Sequence, residues 1–181
     1  MSTVAAPHVT NKQLKQEFER IFHEYSSFIY RTAYGVTGNA EDAEDVLQTI
    51  FLRLMRRELP PNLKNNPKAY LYRAAVNVSL STLRSRRQRE LVGDLEGFES
   101  SVHAAQSRSA SQVRERLLAT LETMAESNPA GVELLILRYV HNYSDADIGK
   151  MFGQSRGVVA VRLFRARNRL KKLMRESGER R

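Results

Sequence analysis

The chain has 181 residues, with 29 lysines and arginines against 20 acidic residues, for a formal net charge of +9. It contains no cysteine, which excludes disulfides and thiolate metal sites, and its four histidines (His8, His23, His103, His141) lie too far apart to form a ligand cluster. No apolar run approaches the roughly 20 residues that span a bilayer. The start, MSTVAAPHVTNK, has neither the basic nor the apolar segment of a secretory signal. No metal, cofactor or membrane contact is expected, and a cytoplasmic place of work is.

The charge is unevenly placed. Residues 1–63 carry a net −1, 64–90 a net +6, 91–125 a net −2 and 126–181 a net +6. Two separate basic blocks point to two contacts with a polyanion, because neutralising phosphate is the usual work of such blocks.

In chain order, Leu14, Phe18, Ile21, Phe22, Tyr25, Phe28, Ile29 and Ala33 keep helical spacing over residues 12–36, and Gly38 breaks it. Asn39 caps a second helix, whose first turns carry Glu41, Asp42, Glu44 and Asp45 at the positive end of the dipole. Its apolar stripe is Val46, Leu47, Ile50, Phe51 and Leu54, and Pro60 and Pro61 stop it. A loop is expected over residues 60–66. Asn66 and Pro67 open a third helix, cap followed by proline at the first helical position. It turns Leu71, Ala74, Val78 and Leu83 inward and ends in a basic tail, Arg84, Arg86, Arg87 and Arg89. Residues 91–112 show no period and read as a flexible linker.

A second helical unit follows over residues 113–177, with Val113, Leu117, Leu121 and Met124 inward on its first helix. Asn128 and Pro129 open the next, Ser144 with Asp147 forms a capping box for a third, and Ser155 caps the last. No segment alternates with strand period. The expected fold is all-α: a tail over residues 1–11, a helical domain over 12–90, the linker, and a second small helical domain.

Three constellations stand out. Within residues 143–169 two helical patterns meet at Gly153, in the order of a helix-turn-helix. Val159, Leu163, Ala166 and Leu170 face inward on its second helix, and arginines line the sides. The outermost positions are Ala160, Val161, Phe164 and Asn168, an apolar tip suited to thymine methyls and groove shape. On the third helix Tyr70, Arg73, Asn77, Ser81 and Arg84 share a face, and a ring, an amide and cations in line suit a single nucleic-acid strand. The acidic cluster at residues 41–45 compensates a helix dipole or docks a basic partner. No histidine, lysine or metal ligand is set to make it catalytic.

Three segments, in order, resemble those of bacterial RNA polymerase sigma factors, in the extracytoplasmic-function branch of the sigma-70 family: YRTAYGVTGNAEDAEDVLQTIFLRL, NPKAYLYRAAVNVSLSTLRSRRQRE and YSDADIGKMFGQSRGVVAVRLFRARNRL. The resemblance implies two helical domains, the C-terminal one carrying the helix-turn-helix, and an initiation factor rather than an enzyme. It implies that Asp42, Glu44, Asp45, Gln48 and Leu52 dock on the clamp coiled coil of core RNA polymerase. Asn62, Lys64, Asn65, Tyr70, Arg73, Asn77, Arg84, Arg86 and Arg87 are then the residues that capture the melted strand of the −10 promoter element. Ser155, Arg156, Ala160, Val161, Arg162, Phe164, Arg165 and Arg167 are those that read the −35 element as duplex. The implied partners are core RNA polymerase, promoter DNA and an anti-sigma factor.

The chain departs from the family pattern at Tyr70, where tryptophan is usual, at Ser81 (aspartate), at Gly149 (alanine) and at Phe164 (a polar residue). The competing reading is a stand-alone helix-turn-helix regulator on duplex operators, which has no use for the acidic second helix or the Tyr70 face.

Overall fold

The computed structural model describes residues 11–56, 60–93 and 105–179. Among the described residues there are eight helices and no strand: α1 (Asn11–Thr37), α2 (Ala40–Met55), α3 (Pro61–Asn65), α4 (Pro67–Gly93), α5 (Ala105–Ser127), α6 (Pro129–Tyr139), α7 (Asp145–Phe152) and α8 (Arg156–Glu179). The expected tail lies outside the described residues but for Asn11, as do residues 94–104 of the linker expected over 91–112; the rest of that segment is not loop but helix, residues 91–93 ending α4 and 105–112 opening α5.

The caps fall where the sequence puts them. The Asn39 side chain accepts from the Glu41 N–H, Asn66 Oδ1 from the Ala69 N–H at 3.1 Å, and Asn128 from Gly131. Ser144 and Asp147 bond reciprocally as a capping box. Gly38 and Gly153 hold φ of 68° and 65°, the left-handed conformation that ends α1 and α7. The expected loop over residues 60–66 is mostly helix instead. Pro61 at the start of α3 presets φ, and one helical turn carries Leu63 into full burial.

Ile21, Ile29, Val46, Ile50, Leu63 and Leu71 make the centre of a first core, shared by α1 to α4. A second core gathers Met124, Val132, Leu137, Ile148, Val159 and Leu163 from α5 to α8. That second core continues into the first unit, through Phe28 and Val36 of α1 and Tyr72, Val76, Leu80 and Leu83 of α4. The two helical domains are therefore packed on one another. Helix α4 is buried along two stripes: Leu71 and Ala75 face its own domain, and Tyr72, Val76 and Leu80 face the other. Its polar row of Arg73, Asn77 and Arg84 runs beside the second stripe, at the rim of the domain contact.

Polar links cross the same contact. The Tyr72 hydroxyl donates to the Glu133 carbonyl oxygen, and burial holds that hydroxyl well above the usual phenol range. Lys68 Nζ lies over the rings of Phe28 and Tyr143, at 5.4 and 5.2 Å. A fully buried tyrosine contributes about 1.5–3 kcal/mol by its apolar surface alone.

Candidate protein-docking and nucleic-acid surfaces

The residues expected to dock on polymerase divide. Glu44, Gln48 and Leu52 line one apolar groove of about 780 Å³ between α1 and α2, with Phe18, Phe22 and Met55. Leu52, Phe22 and Met55 are 49%, 45% and 65% exposed, so the groove presents apolar side chains to solvent. Asp45 is exposed outside the groove lining. Asp42 is half-buried and takes Arg86 at 3.4 Å, so it ties α2 to α4. Phe22 and Met55 were not in the expected set. Phe22 reads in the sequence as part of the apolar stripe of the first helix, and only Met55 stands as an apolar residue beyond the inward stripe of the second.

The strand-binding set divides as well. Asn62, Asn65, Tyr70, Arg73 and Asn77 line one cleft of about 500 Å³, joined by Asn66, Met151 and Phe152. Three side-chain amides, of Asn62, Asn65 and Asn77, around a phenol ring can hydrogen-bond base edges while a base stacks, whereas the Asn66 amide is taken up by the Ala69 N–H and the Met151 carbonyl. From Asn77 a second groove continues past Ser81 to Arg89 and Arg53, neither of them in the expected set. Lys64 does not line the cleft; its charge acts on Glu17 of α1. Arg84 and Arg87 are turned to Glu126 and Glu122 of α5, at 3.0 and 2.9 Å. Arg73 joins Glu133 of α6 at 3.3 Å.

On the last helix, Ser155 Oγ accepts from the Val158 N–H at 3.3 Å and caps α8. Val161 and Phe164 are 50% and 56% exposed on the outward row, and Arg156, Arg165 and Arg167 are exposed beside it. Ala160 is half-buried at the side of the helix and gives its place in that row to Gly157. A Cβ at Gly157 would meet nothing within 4 Å. Nothing inside the chain requires glycine there, although it weakens a helix by about 1 kcal/mol against alanine. Arg162 is half-buried, and its Nη1 donates to Gln154 Oε1 at 2.8 Å, so it braces the turn. Between Arg156 and Arg175 there are eight basic and no acidic side chains. Such a helix suits a phosphate-lined groove with an apolar tip at its floor.

Residues 21–89 match the family model for sigma-70 region 2. Curated relatives span nearly the whole chain. The sigma factor SigW of Bacillus subtilis is 25% identical over 91% of this chain and 95% of its own length. SigL of Mycobacterium tuberculosis is 25% identical over 87% and 89%, and CarQ of Myxococcus xanthus 27% identical over 88% and 90%. Along most of its length the chain is similar to extracytoplasmic-function sigma factors, and its N-terminal part matches region 2 of the sigma-70 family. Among solved structures, the sigma factor RpoE of Bartonella quintana, in complex with the anti-sigma factor NepR, is 24% identical. It covers 88% of this chain and 98% of its own, with a TM-score of 0.44. No described helix is long and apolar enough to cross a membrane, and no three described His, Cys, Asp or Glu side chains cluster for a metal.

Proposed function

We propose that this chain is an alternative sigma factor that joins core RNA polymerase, recognises two promoter elements and captures one strand as the promoter melts. It acts by binding, with no catalytic step of its own, in the bacterial cytoplasm where polymerase and chromosome meet. The groove between α1 and α2 takes an apolar, helical surface of the polymerase, with Glu44 and Asp45 beside it for basic side chains. The cleft on α4 takes unstacked bases of the −10 element: Tyr70 offers the ring, Asn62, Asn65 and Asn77 the amides, and Arg73 the charge. Helix α8 enters the major groove of the −35 element with Gly157, Val161 and Phe164 leading and Arg156, Arg165 and Arg167 on the phosphates. An anti-sigma protein is a further proposed partner.

The support for this reading is the meeting of five expected strand-binding residues around one cleft, on a chain similar along its length to named RNA polymerase sigma factors. A stand-alone duplex regulator leaves that cleft without a use. The test is transcription in a defined system: purified chain, core polymerase and a supercoiled genomic template library, read by mapping transcript starts. Starts that need the chain and share two upstream elements support the reading. Failure to bind core polymerase overturns it.

A further inference from the structure

Arg86 and Arg87 lie in the basic tail of α4, yet neither lines the cleft around Tyr70. Both open on a different cavity, of about 640 Å³, walled by the turn between α1 and α2, by α4 and by α5. Arg114 of α5 reaches the same cavity, so three guanidinium groups converge there against a single acid, Glu115. Gathering like charges in a hollow raises the free energy of the empty site and focuses a positive potential in it. Asp42 at 3.4 Å and Glu122 at 2.9 Å offset Arg86 and Arg87 in part. Arg114 has no such offset: among the described residues it makes neither an ion pair nor a hydrogen bond. Its guanidinium lies back against Gly38, where a Cβ would run into Nη2. A long side chain without a partner would ordinarily extend into water, whereas this one adds its charge to the other two.

We infer that this cavity is a binding site for a small oligophosphate ligand, whose phosphates are held by Arg86, Arg87 and Arg114. Guanidinium groups meet phosphate oxygens through paired N–H donors, and with five donors each an arginine that holds a carboxylate can still meet a phosphate. The volume is in the range of small-ligand sites and far larger than one phosphate group needs. Leu83 and Leu118 give the cavity an apolar wall, on which the organic part of a nucleotide-sized ligand can rest. Two of the arginines come from α4 and the third from α5, so the ligand joins the two helical domains, and its binding raises the melting temperature. The inference stands apart from the reading of the Tyr70 cleft, since it uses none of the residues that line it.

The probe is inorganic triphosphate, titrated by calorimetry into the full chain at about 150 mM salt, where attraction between distant exposed charges is screened. Binding to a single site per chain is expected. Arg114→Ala is the cleanest variant, because that side chain holds nothing else in the fold, and a melting curve without ligand should be unchanged. It is expected to weaken triphosphate binding about tenfold, the effect of losing a charge-assisted contact. Glu115→Gln removes the acid of the lining and is expected to tighten binding about threefold. Lys150→Ala removes an exposed cation of α7 outside the cavity and is expected to change nothing.

No binding at about 1 mM triphosphate, or equal affinity in Arg114→Ala and the unaltered chain, overturns the site. A loss on Lys150→Ala as large as that on Arg114→Ala overturns it as well, since it reveals diffuse attraction to a basic protein. DNA is the other source of phosphate, and a fluorescein-labelled, mixed-sequence strand of about 20 nucleotides tells the two apart. The strand is expected to bind Arg114→Ala and the unaltered chain alike. A tenfold loss for the strand would assign the three arginines to the DNA backbone and overturn the small ligand.

Discussion

Thr32 and His141 stand 109 residues apart in the chain, yet Oγ1 of one lies 2.9 Å from Nε2 of the other. The imidazole sits among Phe28, Tyr72 and Tyr143, with Phe28 at 5.0 Å between ring centroids. Burial, then the charges of Arg31 and Lys68, push its pKa from 6.5 down to about 4. It is neutral at neutral pH, and the domain contact is built around that neutral ring.

The contact should therefore weaken in mild acid. Between about pH 4 and 6.5 the unfolded or opened chain binds a proton that the closed form refuses. The stability supplied by the neutral ring is full above that window and lost as pH falls through it. Glu122 and Glu133, with raised values, act in the opposite direction, since they favour the closed form where they are protonated. Comparison with His141→Gln isolates the histidine. Thermal unfolding at about pH 7.5 and about pH 5 should show a larger loss for the unaltered chain than for the variant. Equal losses contradict the assignment.

The docking groove predicts separable defects. Leu52→Asp and Met55→Asp each place a charge at an exposed apolar edge of the groove. Each should weaken binding to core polymerase about tenfold or more, as loss of an interface anchor does. Asp45→Arg should act in the same direction. Duplex binding by the free protein should be unchanged in all three. Loss of DNA binding with polymerase binding intact, measured by titration of labelled protein, would reverse the role given to α2.

At the tip of α8, Val161 and Phe164 should read thymine methyls. Replacing thymine by deoxyuridine in the bound duplex removes that methyl and leaves every hydrogen-bonding edge in place. Each contacted thymine should then be worth about 0.8 kcal/mol, or about fourfold in affinity. Val161→Ser with Phe164→His should make binding indifferent to the exchange and alter promoter choice. A wild-type protein already indifferent to deoxyuridine would assign the apolar tip to a protein partner.

Two arginines of the same helix should behave differently. Arg165 is exposed beside the tip, whereas Arg162 is held by Gln154. Arg165→Ala should lower the slope of log affinity against log salt by about one, the signature of a lost phosphate contact. Arg162→Ala should leave the slope alone and reduce stability by about 0.5–1.5 kcal/mol. Parallel salt titrations and melting curves distinguish them.

Much of this architecture was legible before any coordinates. Asn39, Asn66, Asn128 and Ser144 announce helix starts because their side chains satisfy N–H groups that a helix leaves orphaned, and each does so. The amide and ring cleft was legible because Tyr70, Arg73 and Asn77 follow helical spacing. The domain contact was not. A helix buried along two stripes, as α4 is at Leu71 and at Tyr72, loses the single apolar face on which periodicity depends. The partners of Arg73, Arg84 and Arg87 lie 60, 42 and 35 residues away, and spacing along one helix cannot find them. Gly149 reads as a weak point in α7. Its reason is the Gln154 carbonyl oxygen, which a Cβ there would meet at 2.5 Å.

The most direct measurement of the central claim is reconstituted initiation with core polymerase on supercoiled template, comparing the unaltered chain with an Arg73→Ala, Asn77→Ala double variant. The account predicts chain-dependent, start-specific transcripts. It also predicts that the variant binds polymerase and closed duplex normally but fails to open the start region, as read by permanganate reactivity of unpaired thymines. Normal opening by the variant, or no start-specific transcript from the unaltered chain, would contradict it.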